Sequence, residues 1–356
     1  MSEQPIPQVN RIHLEAMSGP LGIFQHAIGA EPDPAHGACT DDVARAFTVD
    51  LLHARTLGWE AVRPTAVRSF AFVRGALSQR TSRFRNFRSI DGTWLDVAGS
   101  DDTQGRALRA LGMAAASGPE NHLRHESAAL FRTALPVAGR LRSPRAVSNA
   151  ILGCDAILGD GPDSRADRAI SDLASRLKPL FTAHTRSSEW PWPEPVVTYE
   201  SAVIPHALLV VARRYEDPTL ARVALRVLDW LIEAQTSADG KFTPVGNLGW
   251  WIRGGPRAQY DQQPIEATTL INACVAAFAA TNDAHYRATA EMAYAWFLGE
   301  NDAGLEVAVP ETGGCHDGLS AVEVNANQGA ESTLMWQMAI EAVRDLRAQA
   351  MIGVTA

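Results

Sequence analysis

Residues 100–108 read SDDTQGRAL. Ser100 stands where a helix N-cap belongs, Asp101 and Asp102 fall in the first turn, and small and apolar residues follow at helical spacing. The same order, a polar or acidic cluster turning small and apolar, recurs at CTDDVARAF (39–47), SPRAVSNAIL (143–152), TYESAVIPHAL (198–208), QQPIEATTL (262–270) and NQGAESTLM (327–335). The anchors Asp42, Asp102, Ser148, Glu200, Glu266 and Glu331 stand 60, 46, 52, 66 and 65 residues apart. More heavily charged helices, such as 218–235 and 284–298, lie between them. A period of roughly 50–65 residues with two helices in each is a repeat of helical hairpins.

Six such hairpins would close into a ring, with small-residue helices inside, charged helices outside and the acidic helix starts at one face. An open solenoid is the other arrangement, but its repeats match one another more closely in length and sequence. The expectation is therefore an all-α protein, an (α/α)6 barrel or toroid. Helices are predicted at 41–57, 65–79, 101–116, 122–138, 144–158, 165–181, 201–214, 218–235, 264–280, 284–298 and 329–347, with a twelfth at 8–17. Short β excursions are expected at 83–96, around the turn pair Asp91-Gly92, and at 241–255. No Gly/Ser/Pro-rich linker divides the chain, so residues 1–356 read as one domain, with 1–30 supplying the closing outer helix.

The composition fits a large packed core: 46% hydrophobic and 20% charged residues. Net charge is −8, from 32 Lys and Arg against 40 Asp and Glu, which argues against broad phosphate neutralisation and hence against a nucleic-acid partner. No run of 18 apolar residues and no signal-like start are found, so neither a membrane partner nor secretion is expected, and the location expected is cytoplasmic. Cys39, Cys154, Cys274 and Cys315 form no CxxC and read as reduced thiols.

The strings HGACTDDVARA, SDDTQGRAL, EWPWPEP, TYESAVIPHAL, YDQQPIEA, ETGGCHDG and NQGAEST run from His36 to Thr333. As a set they resemble the six-hairpin (α/α)6 glycosidase-like superfamily, and more closely a group of bacterial (α/α)6 proteins found alone or fused to glycosyltransferases. The resemblance implies the barrel fold, an oligosaccharide or glycoconjugate substrate, and a glycosyltransferase as a partner. The superfamily also holds lyases, phosphorylases and sugar epimerases, and fold does not fix function.

Glycoside hydrolysis needs two carboxyl groups across the scissile bond. Asp41, Asp42, Asp101, Asp102, Glu200, Asp261, Glu266 and Glu331 all stand at or just before inner-helix starts. The catalytic candidates are ranked Asp102, Glu200 and Glu266, then Asp42 and Glu331; Asp41, Asp101 and Asp261 are candidates to hold sugar hydroxyls. An acid in a first helical turn also serves the macrodipole, and that reading stands beside the catalytic one. Asp doubled twice, and Glu266 behind apolar Ile265, are explained less well by it.

Trp94, Trp190, Trp192, Trp250 and Trp251 fall in predicted loops, where flat rings stack on sugar faces and an indole N–H bonds a hydroxyl. Anchoring of small satellite cores is the alternative. Tyr199 and Tyr260 stand in the same strings and are assigned with them to substrate contact. His36, His316 and Asp317 are candidates to line the cavity, and a His can act as acid or base. Arg45 and Arg106 follow the acid pairs at ion-pair spacing or hold a substrate anion; Arg253 and Arg257 are further anion candidates. No phosphate loop, nucleophile elbow or paired-cysteine zinc spacing is found, so neither metal nor cofactor is expected. The expected function is glycoside hydrolysis, with inversion favoured. A sugar epimerase or isomerase using His and Glu, and a non-catalytic glycan-binding partner, are the alternatives.

Overall fold

A computed structural model describes residues 3–184 and 189–354. The chain groups into two compact units: Leu14–Pro179, called the N-half unit, and Met1–His13 with Leu180–Ala356, called the C-half unit. The short helix α1 (Ile12–Ala16) falls where their sequences meet.

The N-half unit opens with a hairpin of β1 (His26–Ile28) and β2 (Glu31–Asp33), then β3 (Ala38–Cys39). Helix α2 (Thr40–Leu57) pairs with α3 (Trp59–Ala76); β4 (Phe87–Arg88) precedes α4 (Asp101–Ser117), which pairs with α5 (Asn121–Ala134). Helices α6 (Pro144–Asp160) and α7 (Ser164–His184) follow, α7 passing into the C-half unit from Leu180. The helices α2, α4 and α6 pack side by side. Glycine sets how near α4 and α6 come: a Cβ on Gly112 would lie 2.2 Å from the Gly153 carbonyl oxygen, and one on Gly153 2.5 Å from that of Leu108. The small-residue grammar of these helices is thus a packing requirement.

The C-half unit begins with β5 (Val196–Val197). Helices α8 (Val203–Arg214) and α9 (Pro218–Ala234) form one hairpin; β6 (Trp251–Ile252) follows, then α10 (Pro264–Thr281) and α11 (Ala284–Phe297) as the next. Strands β7 (Ala308–Val309) and β8 (Gly314–Cys315) pair, and α12 (Ala330–Val354) ends the unit. Helix α10 packs against α8, α11 and α12, and buried Thr268 donates its hydroxyl to the Met335 carbonyl of α12. Residues 3–10 strap α11 and α12: Arg344 and Arg347 donate to the carbonyls of Pro7 and Gln4, and Gln337 to that of Asn10.

Each of the eleven predicted helices is present, with the twelfth reduced to α1. The differences have local causes. The 122–138 helix stops at Ala134 and tightens into a 3₁₀ segment, Leu135–Arg140, whose second residue is Pro136. The 65–79 helix starts six residues early, at Trp59, and runs through Pro64. Residues 83–96 turn at Gly92, with a bridge between Arg88 and Trp94, but β4 takes its main pairing from β3. Strand β6, within 241–255, pairs with β5. One helix among the described residues, α10, is long and apolar enough on average to cross a membrane, although Glu266 and Asn272 interrupt any run of 18 apolar residues. Its composition is accounted for by neighbours on several sides.

Candidate active site

In the C-half unit, Glu266 sits in the first turn of α10 and Glu200 just ahead of α8. One Glu266 carboxylate oxygen accepts the Glu200 backbone N–H at 2.5 Å; the other accepts the Ser201 hydroxyl at 3.1 Å. Glu200 has a left-handed backbone, φ 51°, which holds back α8 until Val203. Both carboxylates are buried, and Glu266 clamps the turn that carries Glu200 and Ser201.

Asp261 and Asp317 form the second carboxylate pair of this unit. Burial pushes the Asp261 carboxyl above the usual carboxylate range, and the charge of Asp317 raises it further. Two exchanged backbone bonds between Gln262 and Leu319, at 2.9 and 2.8 Å, hold the two segments together. Asp317 accepts the Gly329 N–H at 2.8 Å, next to the start of α12. A Cβ on Gly318 would lie 2.5 Å from Asp261 Oδ1, so only glycine fits beside that carboxylate as placed. His316, the next residue before Asp317, places Nδ1 2.8 Å from the Asn325 carbonyl. With that nitrogen as donor, Nε2 is the acceptor; it has no partner among the described residues.

The residue after Asp261 centres a polar node. Gln262, fully buried, donates to Asp302 at 2.7 Å and accepts from the Trp296 indole at 2.8 Å. Asp302 also accepts from Thr243 at 2.6 Å. Burial, then Asp302, raises the Tyr260 phenol above its ordinary value. Sequence reasoning missed Ser201, Gln262, Asp302 and Gly318. Gln262 stood in YDQQPIEA and Ser201 directly after Glu200, but uncharged side chains outside a helical stripe give no periodic signal.

In the N-half unit the four helix-start acids each hold a partner. Asp41 accepts from Arg106 and Thr103, both at 3.0 Å. Asp42 forms a buried ion pair with Arg45 at 2.8 Å and accepts the Cys39 thiol at 3.1 Å. Asp102 accepts the Ser143 hydroxyl at 3.0 Å. Burial opposes the charge of Asp101, but the backbone N–H groups of Arg142 and Ser143, with Arg83, outweigh it and hold this carboxyl below its usual range. Arg45 and Arg106 are thus partners of Asp42 and Asp41.

The expectation of sugar contact fails for Trp190 and Trp192. Both are buried, and their indole N–H groups donate to the Glu194 and Val196 carbonyls at 3.0 and 3.1 Å. Trp251 is half-buried, donates to Gly255 and stacks on Trp230 at 5.2 Å. Trp94 carries the Arg85 and Arg88 guanidinium groups at 4.6 and 5.3 Å and packs against Phe72, so its ring is engaged. Trp250 is half-buried beside Tyr199, 6.2 Å between centroids. His36 is exposed, 3.8 Å from Asp33 and in edge contact with His26. Glu331 is half-buried in the first turn of α12. Arg257 donates to the Ala234 and Thr243 carbonyls, and burial lowers its pKa. Among the described residues no three His, Cys, Asp or Glu side chains group as a metal site.

No family model and no curated protein matches the sequence. Solved structures do match. A D-mannose isomerase superposes with a TM-score of 0.71 at 11% identity, covering 94% of each chain. A cellobiose 2-epimerase from Spirochaeta thermophila gives 0.69 at 13% identity, covering 94% of this chain and 92% of that one. A GH76 α-mannanase from Bacteroides thetaiotaomicron gives 0.65 at 9% identity, covering 95% of each. The fold is the six-hairpin (α/α)6 fold. At these identities the likeness fixes the (α/α)6 architecture and leaves the chemistry to the residues.

Proposed function

We propose that this (α/α)6 protein is a carbohydrate-active enzyme that hydrolyses a glycosidic bond, with Asp261 as the general acid. The observation that carries the reading is the raised Asp261 carboxyl facing the charge of Asp317. Two carboxyl groups whose surroundings set them apart are what glycoside cleavage requires. The Asp261 proton passes to the leaving glycosidic oxygen as the C–O bond breaks, and Asp317 takes a proton from the water that attacks the sugar carbon. Glu266 acts through the turn it holds, as a positioning residue. Inversion is the expected stereochemical outcome. Of the structurally similar proteins, the mannanase supports this reading.

The test is a mass-spectrometric product screen of the full chain on an oligosaccharide panel. Mass gain of one water, lost in Asp261→Asn, is the expected result; turnover by Asp261→Asn at the wild-type rate overturns the assignment. A second reading, sugar epimerisation or isomerisation, is favoured by the His316 geometry and by the likeness to a D-mannose isomerase and a cellobiose 2-epimerase. His316 Nε2 would remove the proton alpha to a sugar carbonyl while Asp261 protonates its oxygen. Deuterium incorporation at that carbon without cleavage distinguishes it. A glycosyltransferase partner is tested by co-purification.

A further inference from the structure

A cavity of about 570 Å³ in the N-half unit lies between the 3₁₀ segment Leu135–Arg140 and α7. Its volume falls within the roughly 300–1,000 Å³ of small-molecule sites. Four arginines line it, Arg132, Arg165, Arg168 and Arg176, against one carboxylate, Asp172. Three of them, with Asp172, follow one another along α7 at spacings of three or four residues, the spacing of a single helix face.

Two of the cations already have work in the fold. Arg176 donates to the Ala138, Gly139 and Leu141 carbonyls at the end of the 3₁₀ segment, and Arg132 donates to Asp163 at 2.7 Å. Arg165 and Arg168 differ: both side chains are exposed, and neither has a partner among the described residues. Counting Asp163, the cations still outnumber the carboxylates by two, in a chain of net charge −8. The floor is apolar, with Leu135 and Leu173 buried beneath the charged rim.

We infer that this cavity binds a small molecule bearing a phosphate or diphosphate, held by Arg165 and Arg168, with its uncharged body on the Leu135 and Leu173 floor. Guanidinium groups match phosphoryl oxygens two bonds at a time, which suits a paired-arginine rim to this anion. The two residues lie outside the carboxylate site, so the inference stands apart from the proposed hydrolysis.

The experiment is isothermal titration of the full chain with inorganic pyrophosphate and, separately, with a nucleoside diphosphate, at constant ionic strength. The variants are Arg165→Gln, Arg168→Gln, their double, and Arg80→Gln, an exposed arginine outside the cavity. Because all three side chains are exposed, circular dichroism should show unchanged folding. The expected result is saturable binding by wild type and Arg80→Gln, weakened at least ~10-fold in the double variant. Tighter binding of the nucleoside diphosphate supports use of the apolar floor; equal binding of both probes assigns the anion alone to the rim. Absence of binding by wild type, or equal binding by wild type and the double variant, overturns the inference.

Discussion

Gly318 lies so close to Asp261 that an added Cβ would sit 2.5 Å from Oδ1 and 3.0 Å from the carboxylate carbon. The atoms in the way belong to the end of a side chain, not to backbone. A methyl there moves the carboxylate and spares the chain trace. Gly318→Ala should therefore cost only about 1 kcal/mol of stability while lowering activity roughly 100-fold, the effect of a displaced reacting group. Thermal melts beside turnover on the best substrate check this; equal losses in both would place Gly318 among merely structural glycines.

Asp261 should make stability depend on pH in a definite direction. Its folded carboxyl is raised, by burial and then by Asp317, so the folded state holds this proton more tightly than the unfolded chain. Its contribution is fully present below the unfolded carboxylate value and is lost as pH rises through the raised folded value. Asp261→Asn removes that loss. The variant should melt at or above the wild-type temperature at neutral pH, and the gap should close on acidification. Asp317→Asn, by removing the facing charge, should let Asp261 lose its proton at lower pH, read by NMR titration of the Asp261 carboxyl in that variant, and should abolish turnover.

Glu266→Ala leaves the buried Glu200 N–H without its acceptor, a loss of about 1–3 kcal/mol. Glu266→Gln keeps one carbonyl oxygen for that N–H, and the Ser201 hydroxyl can turn to accept from the amide. Urea unfolding should rank Ala well below Gln, with Gln close to wild type.

Glycines on α6 should divide by what they face. Gly153→Ala drives a methyl into the α4 backbone, 2.5 Å from the Leu108 carbonyl oxygen, and should cost about 3 kcal/mol or more. Gly159→Ala, six residues on, meets nothing within 4 Å and should stabilise by about 0.4–1 kcal/mol. Chemical denaturation of the two variants checks the contrast.

The helices were legible because their pattern is local: Ser100, placed as an N-cap ahead of an apolar run, does cap α4. The site was legible only in part. Asp261 and Asp317 could be named from their strings, but the feature that sets them apart, a shared environment 56 residues apart in sequence, is a tertiary fact. The tryptophans misled for a physical reason. A Trp beside Pro and Glu looks solvent-facing, yet Trp190 and Trp192 find carbonyl acceptors four residues on and turn inward. Gln262 left no trace, since an uncharged side chain becomes a node only when Trp296 and Asp302 arrive around it.

The strap of residues 3–10 gives synthesis of this chain a direction. Its first residues leave the ribosome long before their partners exist: the Arg344 bond to the Pro7 carbonyl spans 337 residues. The N-half unit, by contrast, is continuous in sequence from Leu14 to Pro179. Residues 3–10 find these partners only once α11 and α12 exist, since Tyr294 of α11 donates to the Pro5 carbonyl and Arg344 of α12 to that of Pro7, so closing the strap is a late step of folding.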